Sequence, residues 1–236
     1  MKNALLRLMN FQNWTIILLM AVLTACIDKT EAPEPTIPGY VNLYNAAADG
    51  TSLDIYFNNT DTKVNQNPFD YSKYSGYLNF PVGSNTVKFN EYNTTTKVAE
   101  KTFNVVELKA YSLFVIYEDA QLGTLLLEDV SPEVTTGNAR VRLVQISPDS
   151  PALDIAITDD KTYFSNTAFK SASSYIEIPA NGTEKDFKII KSGTDSVIST
   201  VKLKLDETKY YTLVAKGFFH PPTGNNNKVT LQLIPN

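Results

Sequence analysis

Slid along itself by 100 positions, the sequence meets its own apolar pattern a second time. Val41 falls on Val141, Leu43 on Leu143, Asp49 on Asp149, and Leu53, Asp54, Ile55 on Leu153, Asp154, Ile155. Phe69, Lys88, Lys109, Tyr111 and Leu113 fall on Phe169, Lys188, Lys209, Tyr211 and Leu213, and a two-residue deletion brings Tyr77, Leu78, Asn79, Phe80, Pro81 onto Tyr175, Ile176, Glu177, Ile178, Pro179. A repeat of this length restricts the fold to one that about 95 residues can close around a modest core of their own. The expected domains are residues 39–130 and 139–236. The linker between them, 131–138, carries turn chemistry in Ser131, Pro132, Gly137 and Asn138.

Inside each unit the period is two. Leu53, Ile55 and Phe57 alternate with Asp54 and Tyr56, Val141 and Leu143 with Arg140 and Arg142, and Val201, Leu203 and Leu205 with Lys202 and Lys204. Such alternation marks half-buried strands. Turn signals at Asp49 and Gly50, Gly83 to Asn85, Asn181 and Gly182, and Gly224 to Asn227 punctuate them. No stretch after residue 27 offers a sustained helical stripe. The fold expected is all-β: two tandem immunoglobulin-like antiparallel β-sandwiches of about seven strands each.

The front of the chain has a different character. Lys2 and Arg7 precede an apolar run, Trp14 to Ala25, that ends at Cys26, the single cysteine of the chain. A basic front, an apolar stretch and small residues at a cut form a secretory signal, and Trp14 to Ile27 falls short of the roughly 20 residues that span a bilayer. Leu23, Thr24, Ala25, Cys26 resembles the lipobox of bacterial lipoproteins. The resemblance implies removal of residues 1–25 and acylation of Cys26, which accounts for a lone thiol in an exported chain, where cysteines otherwise pair. Pro33, Pro35 and Pro38 then make residues 26–38 a semi-rigid tether of roughly 30 Å. The expected location is the bacterial cell envelope, lipid-anchored at the outer membrane on its periplasmic or surface face. Losing Lys2 and Arg7 leaves 19 basic residues of the 21 against 25 acids. With that balance and no basic stripe, nucleic acid is excluded as a partner.

The segment from Ala139 to Ile155 runs as a strand into Ser147, Pro148, Asp149, Ser150, Pro151 and then a short strand containing Asp154. It resembles the opening of the bacterial domain of unknown function 4397 family. Ser174 to Ala180 and Tyr210 to Ala215 look like the later strands of that family. Residues 39–117 follow the same pattern with Ala47 and Ala48 in place of the Ser and Pro, and with Thr51 in place of the second proline. The resemblance implies a β-sandwich module of envelope and secreted proteins and carries no catalytic residues with it.

The inventory of reactive groups points away from catalysis. His220 is the single histidine and is followed by Pro221, Pro222, Thr223, Gly224 and three asparagines, a loop tip, so histidine-based zinc sites and a serine triad are not expected. Glu118 with Asp119, Glu128 with Asp129, and Asp159 with Asp160 are adjacent acids, which on a strand point to opposite faces and serve poorly as acid and base. Asp49, Asp54, Asp149 and Asp154 are duplicated and have two readings, calcium ligation or closure of Asx turns. No cofactor is expected.

The stretch Asn58 to Gly76 combines asparagines with Phe69, Tyr71 and Tyr74, with Tyr77 just beyond. This is the composition of recognition loops. Tyr71, Tyr74 and Tyr77 are therefore candidate ligand contacts, and Phe69 and Phe169 candidate plugs beneath the loop. The function expected is a non-catalytic, membrane-anchored binding or adhesion module for a glycan, peptide or envelope protein. A structural envelope subunit is the alternative, and a carboxylate-dependent hydrolase the third reading.

Overall fold

Residues 37–158 and 161–236 are described by the computed structural model, and all their regular elements are strands. The first repeat supplies β1 (Gly39–Ala46), β2 (Leu53–Phe57), β3 (Tyr74–Phe80), β4 (Gly83–Glu91), β5 (Lys97–Val105), β6 (Ala110–Glu118) and β7 (Gln121–Asp129). The second supplies β8 (Asn138–Gln145), β9 (Leu153–Ile157), β10 (Lys161–Thr167), β11 (Ser171–Ala172), β12 (Ile176–Pro179), β13 (Glu184–Lys191), β14 (Val197–Lys204), β15 (Tyr210–Lys216) and β16 (Thr230–Pro235). In repeat 1 an inner sheet β3-β1-β6-β7 packs on an outer sheet β2-β4-β5. In repeat 2 the inner sheet is β11-β8-β15-β16, with β12 also on β8, and the outer sheet is β10-β9-β13-β14. Pairing is antiparallel except for β1 with β6 and β8 with β15, each a parallel pair in the middle of an inner sheet.

The alternation read from the sequence builds the two sandwich cores. Val41, Leu43, Leu53, Ile55, Val87, Phe89 and Leu113 fill the first, and Val141, Leu143, Leu153, Ile155, Phe187, Ile189 and Leu213 the second. Each sandwich is closed by the same corner. The Tyr111 hydroxyl accepts the Val106 N–H at 3.4 Å, and the Tyr211 hydroxyl accepts the Asp206 N–H at 3.3 Å, the tyrosine corner of immunoglobulin-type sandwiches. A second device is duplicated as well: Ser75 and Ser173 each accept the amide of Leu43 or Leu143 at 2.9 Å.

The strand register corrects the alignment of Phe69 with Phe169. Phe69 bridges Leu53, whereas Leu153 pairs with Thr167, so the two-residue deletion falls before residue 69. Phe69 is buried in the first core, while Phe169 packs against the seam between the repeats.

That seam is the principal departure from a simple tandem. Residues Thr36–Asn236 form one compact unit in which the central strands of both inner sheets, β1, β6, β8 and β15, are buried on both faces. Tyr44, Ala46, Phe114 and Ile116 of repeat 1 make a third core with Val144, Ile146, Val214 and Ile234 of repeat 2. Tyr44 meets Phe114 edge-on at 5.6 Å. Alternation places Arg142 on the face opposite Val141 and Leu143, which the sequence reading takes as solvent. The residue is only 3% exposed, because repeat 1 covers that face. Truncating a seam residue should therefore affect the whole unit: Phe114→Ala is expected to lower unfolding stability by about 3–5 kcal/mol with calorimetry still showing one transition. Separation into two transitions would contradict this packing.

Candidate functional site

The seam carries polar groups at both ends, and they are laid out by the repeat itself. At one end the Asp129 carboxylate accepts from the Tyr77 hydroxyl at 2.6 Å, the Ser112 hydroxyl at 2.8 Å and the Arg142 guanidinium of the other repeat. Arg142 also donates to the Thr212 hydroxyl at 3.0 Å and the Glu128 carbonyl at 3.1 Å, and lies 5.2 Å from the Tyr175 ring. Repeat 2 holds a neutral copy of this cluster: Asn236 donates to the Tyr175 hydroxyl at 2.8 Å and accepts from Thr212 at 2.9 Å. Strand register makes Asn236 the counterpart of Asp129, since they stand opposite Tyr210 and Ala110. Asn42 is the counterpart of Arg142, so of these two matching clusters only one is ionic.

At the other end Lys216, 5% exposed, donates to the Ser72 hydroxyl and sits 4.2 Å from the Tyr71 ring. Nearby, the Tyr44 hydroxyl donates to Gln232 at 2.8 Å and Gln232 donates to the Ser72 carbonyl at 3.1 Å. Glu118 pairs with Lys170 at 2.6 Å, and Asn225 and Asn227 each donate to the Ala48 carbonyl at 2.9 Å.

The three candidate tyrosines are thus separated. Tyr71 stacks beneath Lys216 within the seam, and burial pushes its hydroxyl well above the ordinary tyrosine range. Tyr77 belongs to the Asp129 cluster, its hydroxyl raised first by burial and then by that carboxylate. Tyr74, at the start of an edge strand, is exposed. Cys26 and the Asp159 and Asp160 pair lie outside the described residues.

Of the other acids singled out in the sequence, all the described ones but Asp119 have identifiable partners. Glu118 binds Lys170 beside the exposed Asp119, and Glu128 binds Lys109 on the face opposite buried Asp129. Asp49 closes an Asx turn on the Thr51 amide at 3.2 Å, while Asp149 accepts the amides of Phe219 and His220 at 2.6 and 2.7 Å. Asp54 accepts the Asn93 amide at 2.9 Å, and Asp154 that of Asn166 at 2.6 Å. Among the described residues no group of three or more His, Cys, Asp or Glu could hold a metal ion.

The aspartates of β2 and β9 mark where the repeats differ most. In repeat 1 the segment after β2 folds back over Asp54: Lys63 reaches its carboxylate at 3.2 Å, and Asn65 caps the Ile55 amide at 2.7 Å and the Leu53 carbonyl at 3.0 Å. In repeat 2 that segment is two residues shorter and forms β10, which leaves a cleft of about 670 Å³ over the outer sheet. Asp154, Thr162, Lys188 and Asp195 line it beside the apolar Ile190 and Val197. Sequence reasoning missed this cleft, whose one signal was the two-residue gap between the aligned repeats.

Residues 39–156 and 147–236 match the model of the family described as a domain of unknown function (DUF4397). The chain belongs to the DUF4397 family. No curated protein matches it. Solved structures similar to it include an α-glucan-binding streptococcal virulence factor, at 13% identity over 75% of this chain and 93% of that one, with a TM-score of 0.26. Another is a family 26 carbohydrate-binding module of Eubacterium rectale Amy13K in complex with maltoheptaose, at 6% identity over 82% and 96%, with a TM-score of 0.28.

Two expectations follow for this DUF4397 seam. Asp129→Ala leaves a buried guanidinium without its counter-ion and should cost about 3–5 kcal/mol. Asp129→Asn combined with Arg142→Asn, which copies the neutral Asn236 and Asn42 side, should recover at least half of that in a urea melt. Burial also brings the Lys216 ammonium down to about 8 from an ordinary 10.5. The folded chain therefore releases this proton while the unfolded chain still holds it, and stability should rise by ~1–2 kcal/mol between pH 8 and 9.5. Lys216→Met should flatten that rise; an unchanged slope would assign it to other groups.

Proposed function

We propose that this protein is a lipid-anchored, non-catalytic binding module of the bacterial envelope, and that the cleft on the outer sheet of repeat 2 takes a glycan. The observation that carries the reading is the broken symmetry of the duplication. One repeat covers its Asp54 with chain, whereas the other keeps the corresponding Asp154 at the floor of an open cleft. A cleft of this volume with a few convergent polar groups is the usual form of a small-ligand site. Its groups suit a polyhydroxylated ligand. Carboxylates at Asp154 and Asp195 accept from sugar hydroxyls, the Thr162 hydroxyl can donate, and Ile190 and Val197 offer an apolar wall to ring C–H groups.

A peptide is favoured less, because the cleft lies across the face of the outer sheet rather than along a free strand edge where backbone pairing would hold an extended chain. The lipobox-like Leu23 to Cys26 and the prolines behind it support the anchor.

The test is a glycan array followed by calorimetric titration of the best hit. Asp195→Ala with Thr162→Val should weaken binding at least tenfold while leaving the melting temperature within about 2 °C, since both side chains are exposed. Binding untouched by that pair but lost with Tyr74→Ala would move the site to the loop of repeat 1. Turnover of the bound glycan would contradict the non-catalytic reading.

A further inference from the structure

Eight large apolar side chains are exposed among the described residues, and five of them, Ile37, Val82, Val106, Leu108 and Val130, gather at one end of repeat 1. The connectivity shows why. β1 begins here and pairs Gly39 with Phe80, Gly83 pairs with Val105, and Ala110 with Asp129, so the strand ends beside all five residues coincide. The Leu108 amide donates to the Pro38 carbonyl at 3.1 Å, and a Cβ at Gly39 would come within 2.7 Å of the Val106 carbonyl oxygen. The entering chain and the β5–β6 loop are therefore in direct contact.

The loop itself is duplicated, which supplies an internal comparison. Leu108 and Thr208 both have φ of 60°, and the amides of Val106 and Asp206 both reach the corner tyrosine. With the backbone conserved between the copies, repeat 2 carries Asp206 and Thr208 where repeat 1 carries Val106 and Leu108. Repeat 1 holds a leucine that is 64% exposed in the left-handed region, which bulky side chains avoid. Folding of the loop does not require that leucine, since threonine serves in the copy. Exposed apolar side chains gathered at one end of a fold mark an interaction site.

We propose that this apolar end of repeat 1 rests on the lipid bilayer, with Val82, Val106 and Leu108 entering the headgroup region. The occupant follows from where the chain enters. Ile37, itself one of the five, lies eleven positions after Cys26, a reach of no more than about 40 Å fully extended. A bilayer that holds Cys26 therefore lies within reach of the apolar tips. Of the charged residues in this loop, Lys109 is tied to Glu128 and the exposed Glu107 is an acid, so no free cation of the loop draws it to the surface and added salt should not weaken the contact. The inference rests on the acylated Cys26 of the preceding section.

The test uses the full chain in cells, with a benzophenone amino acid replacing Leu108, or replacing Thr94 in the turn at the far end of β4 and β5. An alkyne fatty acid reports acylation of Cys26 in the same samples. Irradiated membranes should yield a lipid adduct at position 108 at least tenfold above position 94, with no reduction in 0.5 M salt. A reporter at Val82 should lose its adduct at least fivefold when Val106→Asp and Leu108→Thr give this loop the residues of repeat 2. With the fatty acid present on Cys26, equal yields at 108 and 94, or a protein adduct at 108, would overturn the docking. Absence of the fatty acid would instead remove the anchor, and the docking with it.

Discussion

Arg142 is almost without access to water, and a guanidinium in that position has to find its partners inside the protein. It finds them in the other repeat: the Asp129 carboxylate, the Glu128 carbonyl and the Ser112 hydroxyl, with Thr212 from its own. The attraction in such a pair is largely offset by the cost of desolvating both ions, so the pair is weak evidence for added stability. What it does impose is register. Only one placement of the two inner sheets brings Arg142 to Asp129 while Tyr44 and Phe114 meet Val144 and Val214, and a slipped placement strands a charge. The seam therefore depends on an apolar centre for its energy and on the ionic end for its alignment.

Much of the architecture was legible because strand periodicity and duplication are local signals. Val41, Leu43 and Leu53, Ile55 with their copies point into the cores expected of them. Two-sided burial was harder to read, because alternation locates one apolar face and says nothing about what covers the other. The clue lay in the uninterrupted run Leu113, Phe114, Val115, Ile116 and in Val144 and Ile146 behind Arg142, where both faces are apolar. The tyrosines show the same limit. Composition singled out Tyr71, Tyr74 and Tyr77 together, but contacts from a segment some 140 residues away bring Tyr71 under Lys216, and the seam claims Tyr77. The cleft beside Asp154 was invisible for a related reason: it exists because chain is missing there, and two absent residues leave almost no trace in one sequence.

The two repeats keep the devices that fold them and diverge where surface or partner is at stake. Tyr111 and Tyr211, Ser75 and Ser173, and the left-handed Leu108 and Thr208 repeat the same backbone problem and its solution. Arg142 against Asn42 serves the seam, whereas the covered Asp54 against the open Asp154, and Val106 with Leu108 against Asp206 with Thr208, are departures that folding alone does not demand. A duplicated chain supplies its own control in this way. Each difference between the copies can be weighed against a neighbour with the same backbone.

The central claim is that residues 36–236 unfold as one body through the shared seam. Native-state amide hydrogen exchange on β1, β6, β8 and β15 tests it most directly. The slowest amides of both inner sheets should exchange with a single free energy equal to that of global unfolding. Exchange of one repeat's inner sheet at a clearly lower free energy, with the other still protected, would show two independent sandwiches and contradict the account.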